Sequence, residues 1–248
     1  MPTPQETLLL GFETHSTERI QAALAAGVDV NGFSDGKTPL TWLVEMYLRS
    51  PQFSDCVRCL VEAGARCSDR GLLAVLLDDA ALLEAELRQN PSLMHHQVDL
   101  RCAFTPLRGA SLLHVAAEFG LVKAATALIQ AGADVEAKAA VDEYGFNGHT
   151  PIFHTVCQNR NHCQPVLRLL LEQGAKADIR LAGITWGKSF EWETTIFDAT
   201  PMSYAQAGLL PQFQRDESEV YENIRLLAQA SGRIIPKELN VPNQYLLS

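Results

Sequence analysis

The 248-residue chain has no apolar run long enough to cross a membrane. Its first residues, MPTPQETLLLGFETHS, lack the charged start and long apolar stretch of a secretory leader. No Gly/Ser/Pro-rich or low-complexity linker divides it, so one cooperative unit is expected. It contains no G-x-S-x-G, P-loop or G-x-G-x-x-G pattern, and so no expected hydrolytic or phosphate chemistry. Cations are scarce: 20 Lys and Arg stand against 29 Asp and Glu, a formal net charge of −9. Gripping a phosphate backbone needs clustered Lys and Arg, so nucleic acid is not an expected partner. The acidity favours a basic protein through electrostatic steering, although solubility alone would also account for it. Six cysteines are scattered at Cys56, Cys59, Cys67, Cys102, Cys157 and Cys163, mostly at apolar helical positions. That usage suits a reducing cytoplasm better than a disulfide framework.

What the chain does have is internal repetition. Thr38-Pro39-Leu40, Thr150-Pro151-Ile152 and Thr200-Pro201-Met202 each open a short apolar helix. Residues 111–133 read SLLHVAAEFGLVKAATALIQAGA, an apolar helix followed by a second one that ends in Gly-Ala. Gly-Ala pairs recur at Gly64, Gly132 and Gly174, with a weaker Gly27-Val28 upstream. A Thr before the helix can cap first-turn amides, and Pro tolerates the next position because it has no N–H to waste. Glycine suits the left-handed residue that ends a helix. A recurring helix–turn–helix implies a stacked array, which buries its core between neighbours. The long gap from Gly64 to Gly132 leaves room for a degenerate unit. Residues 71–89, GLLAVLLDDAALLEAELRQ, fit it, with Leu72, Leu73 and Leu77 facing core or a self-association surface.

This pattern, G-x-T-P-L-H-x-A-A followed by LL-x-x-G-A, resembles the ankyrin repeat. The resemblance implies an all-α solenoid of about six units with β-hairpin fingers, over one domain at 1–248. The units lie near 5–33, 34–68, 69–107, 108–146, 147–197 and 198–232, with a tail at 233–248 that caps irregularly or stays loose. It also implies a local structural role for His114. A groove lined by first helices and finger tips would bind protein, and the register assigns to it Trp42, Glu45, Met46, Val115, Glu118, Phe119, His154, Cys157, Gln158 and Tyr204.

The fingers are unusual. Residues 178–200, DIRLAGITWGKSFEWETTIFDAT, read as a β-hairpin near 179–198, with β-prone runs around a Gly turn. Alternation puts Phe190, Trp192, Thr194 and Ile196 on one face and Glu191, Glu193, Thr195 and Phe197 on the other. Trp186, Phe190 and Trp192 either form a binding hot spot or fold back over the last repeat. A second long finger, Val135 to Asn147, carries Glu136, Asp142, Glu143, Tyr144 and Phe146 and should lie beside the first. Together they would form an acidic, aromatic edge.

Other clusters have plainer readings. Cys56-x-x-Cys59 lies on a second helix without the further pair that zinc needs, so it reads as core. His149, His154, Cys157, His162 and Cys163 form a loose group in which His154 and Cys157 would share a helix face. His95-His96 reads as exposed loop with only Asp99 nearby. Asp78-Asp79 reads as a tight turn and Asp216-Glu217 as solvated loop. The expected function is therefore non-catalytic protein–protein recognition by a monomeric cytoplasmic adaptor, or by an acidic inhibitor or immunity-type protein that masks a basic toxin or enzyme. No cofactor, metal or membrane is expected. The alternative is a metal-binding protein or enzyme using the His149–Cys163 cluster.

Overall fold

The computed structural model describes residues 2–32, 36–207 and 216–234. The expected C-terminal tail lies almost entirely outside them. Among the described residues, twelve α-helices follow one another in consecutive pairs: α1 (Pro4–Thr14) with α2 (Thr17–Ala25), α3 (Pro39–Glu45) with α4 (Phe53–Glu62), and α5 (Arg70–Leu76) with α6 (Ala80–Gln89). α7 (Leu112–Phe119) pairs with α8 (Val122–Gln130), α9 (Ile152–Thr155) with α10 (Gln164–Glu172), and α11 (Pro201–Ala207) with α12 (Glu217–Ala230). First helices stack on first helices, as in α5, α7, α9 and α11, and second helices on second helices, as in α6, α8, α10 and α12.

Local chemistry sets the helix ends. Thr38 caps α3 by accepting from the Thr41 amide at 3.3 Å, with Pro39 at the first helical position. Thr200 does the same for Ser203 at 3.1 Å. Thr150 does not, and its buried hydroxyl has no hydrogen-bond partner among the described residues. In the degenerate third unit, Asp69 stands in for Thr-Pro at the start of α5, accepting from the Leu72 amide at 2.8 Å, and Asp79 caps α6 by accepting from the Leu82 amide at 3.0 Å. Asp216, expected in a loop, instead caps α12. Gly64, Gly132 and Gly174 end the second helices at φ of +96°, +99° and +84°, a region where a Cβ would be strained. The third unit has no such glycine and runs from Asn90 into a short 3-10 turn at Pro91–His95. Ala116, Ala117, Ala124 and Ala125 are buried, and their small side chains let paired helices approach closely. Leu72, Leu73 and Leu77 are core, not a self-association surface.

The fold is not all-α, which corrects the expectation from the repeat. Two antiparallel hairpins stand on the helices, β1 (Gln97–Leu100) with β2 (Leu107–Ser111) and β3 (Leu181–Trp186) with β4 (Thr194–Ala199). The first hairpin spans the junction between the degenerate unit and the next, with β1 in the former and nearly all of β2 in the latter. Its strands are only four and five residues long, and although Gln97–Leu100 alternates polar with apolar, Leu107–Ser111 does not, so the pairing left little signal in the sequence. The Ala140 amide donates to Arg108 O at 2.9 Å, and Asp99 accepts from the Gly109 amide at 2.6 Å. The β3–β4 hairpin lies where it was expected, with Gly183 opposite Phe197 and Ile184 opposite Ile196.

Candidate binding surface

The loop between β1 and β2 decides what the helices can offer. Residues 101–106 lie against the inner face of the first helices. The Cys102 thiol donates to Glu118 Oε1 on α7 at 3.3 Å, and the Thr105 hydroxyl meets Tyr204 OH on α11 at 2.9 Å. Thr105 also reaches Cys157 Sγ at 3.1 Å, and Pro106 O accepts from His149 Nε2 at 2.9 Å. Cys102, Ala103 and Thr105 are buried. The face assigned to a ligand by the ankyrin register is thus occupied by the chain's own loop. Val115, Glu118, Phe119, His154, Gln158 and Tyr204 were expected on that surface and are instead buried. Phe119 stacks on Phe53 of the second unit with ring centroids 4.3 Å apart, contributing about 0.5–1.5 kcal/mol beyond area burial.

Under this loop lies a closed polar network. Arg49 Nε donates to Glu118 Oε1 at 2.9 Å, and the guanidinium sits over the Phe119 and Phe104 rings. Burying each ion costs on the order of several kcal/mol, so their pairing needs every remaining donor satisfied. Arg49 also bonds the carbonyls of Met46 and Leu48. His154 Nδ1–H donates to Glu118 Oε2 at 2.8 Å, and Gln158 bonds the same carboxylate. His149 Nε2–H is shared between Pro106 O and His154 Nε2, at 3.2 Å from the latter. His114 takes the role implied by the resemblance: Nδ1 accepts from the Ser111 amide, and Nε2–H donates to His149 O at 3.1 Å. Every one of these tautomers is neutral. Burial holds all three imidazoles far below their usual range, His114 and His154 down to about 3.

The remaining candidates have separate surroundings. Cys157 meets Thr105, His162 donates to Phe119 O at 2.9 Å, and Cys163 lies 3.5 Å from Glu118 O. Among the described residues, no group of three or more His, Cys, Asp or Glu is arranged to hold a metal ion. Cys56 is buried, which pushes its thiol up to about 12. His96 does have an acidic partner, which corrects the loop reading: Asp69 Oδ2 stands 2.6 Å from its Nε2. Asp78 reaches across to accept from the Ala124 amide of the next unit at 2.8 Å.

The fingers do meet, and their edge is the exposed surface. The Asn147 amide donates to Gly183 O at 2.8 Å, and Thr185 N–H donates to Asn147 Oδ1 at 3.1 Å. Asp142 is spent within its finger, accepting from the Tyr144 and Phe146 amides and from Asn147 Nδ2. Tyr144, Phe146 and Phe197 then form a row, with centroids 6.4 and 5.5 Å apart. Phe146 lies over Gly183, where a Cβ would fall 2.8 Å from its ring. Tyr144 is 70% exposed, Phe197 68% and Val141 60%, and Glu143 is exposed beside them. Phe197 was placed on a strand face but not chosen as a binding residue, although its alternation with Thr195 marked it.

The tip of the long hairpin behaves differently. Phe190 and Trp192 lie in the turn between the strands, so they do not share a strand face with Thr194 and Ile196. They stack on each other at 4.7 Å, and Arg101 sits 4.2 Å over Phe190. Trp192 Nε1–H donates to Ala103 O at 3.1 Å, and Trp186 packs 5.8 Å from Phe104. The tip therefore folds back, but onto the β1–β2 loop and not onto the last helix pair. Trp192 keeps 43% of its surface exposed. Trp42, Glu45 and Met46 are half-buried across Arg101 from this tip: Glu45 lies 3.8 Å from Arg101 and pairs with Lys37 at 2.6 Å, and Lys37 lies over Trp42.

Comparison with protein families fits this architecture in part. Residues 108–140, which span most of β2, the α7–α8 pair and the start of the finger that follows, match the ankyrin repeat family. That match supports an ankyrin repeat protein and, with it, a protein-interaction module. No curated protein matches the sequence.

Proposed function

We propose that this chain is a non-catalytic adaptor or inhibitor that grips a protein partner along its finger edge. The observation that carries this reading is the exposed row of Tyr144, Phe197 and Val141, bordered by Glu143. Exposed aromatics grouped beside polar residues are the usual anchors of an interface. The inner face is filled by the chain's own loop, so recognition moves outward to the fingers, with Trp192, Phe190 and Trp186 extending the surface. Trp42, Glu45 and Met46 form a smaller secondary surface. We read the six helix pairs as six repeats. Six free cysteines, four of them buried, suit a reducing cytoplasm.

Affinity capture from the native cell tests this reading, comparing the natural chain with Tyr144→Ala/Phe197→Ala. Both side chains are largely exposed, so the unfolding free energy in urea should stay within about 0.5 kcal/mol of the natural value. A specific protein should disappear from the captured set. If the same proteins are retained by the variant, the finger edge is not the site.

A further inference from the structure

We infer that β4 is a docking edge for an extended, basic segment of a partner, which joins the finger sheet as an additional strand. The inference rests on the finger-edge reading above and adds how the partner binds. Backbone geometry carries it. Gly183 and Thr185 direct their backbone groups toward Asn147, away from β4. Hydrogen-bonding direction alternates along a strand, so the residues of β3 bonded to β4 are Ile184 and its alternates. Ile184 is paired with Ile196. Thr195 and Phe197 therefore turn their N–H and C=O groups outward, on the side of β4 that no other described strand pairs. An open row of this kind is a template for strand addition.

The side chains say what would add. Across the sheet, the Tyr144–Phe146–Phe197 row ends at this edge, so an apolar side chain on an added strand would continue it. The charge around it is acidic. Residues 135–147 hold three acids and one lysine, and residues 178–200 hold four acids and two cations. The matching segment alternates apolar residues with Lys or Arg. An acidic segment would meet like charge.

A library of random peptides of about twelve residues, selected against the full chain, tests this. The expected binders alternate apolar and basic residues and weaken as salt rises. Thr195→Pro removes one outward N–H and keeps the backbone bonds to β3, giving up only the 3.3 Å bond between the Thr195 and Thr185 hydroxyls, and it should weaken those binders about tenfold, with Kd read by fluorescence anisotropy. In the natural chain, binding should slow hydrogen exchange at the Thr195 and Phe197 amides, a readout that stands even if the proline variant misfolds. Binders that lose affinity in Tyr144→Ala/Phe197→Ala but leave those two amides unprotected would refute strand addition while sparing the finger edge. Binders indifferent to both changes would refute the finger edge itself. Acidic or helical binders, protection seen only after shortening the chain to residue 234, or no binders at all would overturn the inference.

Discussion

Glu118 is a carboxylate with no exposed surface, and it is tolerated because Arg49, His154, Gln158 and Cys102 all converge on it. Its position on an apolar helix gave no hint of this. Arg49 stands 69 residues away, so the pairing is invisible to any local pattern. Acid should expose the consequence. Burial lowers the pKa of His114, His149 and His154 and, less deeply, of His15 and His162. The unfolded chain takes up their protons near pH 6.5, whereas the folded chain holds out until about pH 3–4 for His15, His114 and His154. The stability these groups supply is complete above about pH 6.5 and is lost as pH falls, by up to about 1.4 kcal/mol per pH unit for each imidazole. Glu118 and Asp78, whose carboxyls burial raises, act in the opposite direction, but they are two groups against five. Urea midpoints measured from pH 7.5 to 4.5 should therefore fall steadily; a flat profile would show that the imidazoles are not buried neutral.

At the level of elements, the β3–β4 hairpin was legible because its β-prone runs flank a Gly turn. The conformation of its tip was not. Gly187, at φ +65°, brings the turn so close that a Cβ would meet the Trp192 ring at 2.5 Å, and its amide donates to Phe104 O at 2.8 Å. Trp192→Ala removes the stack on Phe190 and the bond to Ala103 O. The tip should then detach while the helices stay folded. The expected readout is faster hydrogen exchange at the Gly187 amide with a loss of about 1–2 kcal/mol in urea. Unchanged exchange at Gly187 would mean that the β1–β2 loop does not hold the tip.

Across the whole molecule, stacked repeats couple mainly to their neighbours and can unfold in stages. Here the 101–106 loop ties the region of Arg49 to α7 and α11, and through His149 to His154 of α9, in one network. Unfolding in urea should therefore be a single transition, with circular dichroism and tryptophan fluorescence coinciding. Replacing residues 102–105 by Gly-Ser-Gly-Ser should leave Glu118 and Arg49 without part of their cover and separate the two probes. Coincident curves in that variant would show that the helix stack alone supplies the cooperativity.

Local chemistry by itself determined the helix pairs, their glycine ends and the two long fingers, because capping, left-handed backbone and strand alternation each act within a few residues. Only the tertiary structure decided which faces stay exposed. A short loop from the least regular unit settles on the inner surface, turning expected contact residues into core. That outcome depends on bonds such as Thr105 to Tyr204, made between residues 99 positions apart. No periodicity encodes such a contact, because it exists only once the units have stacked.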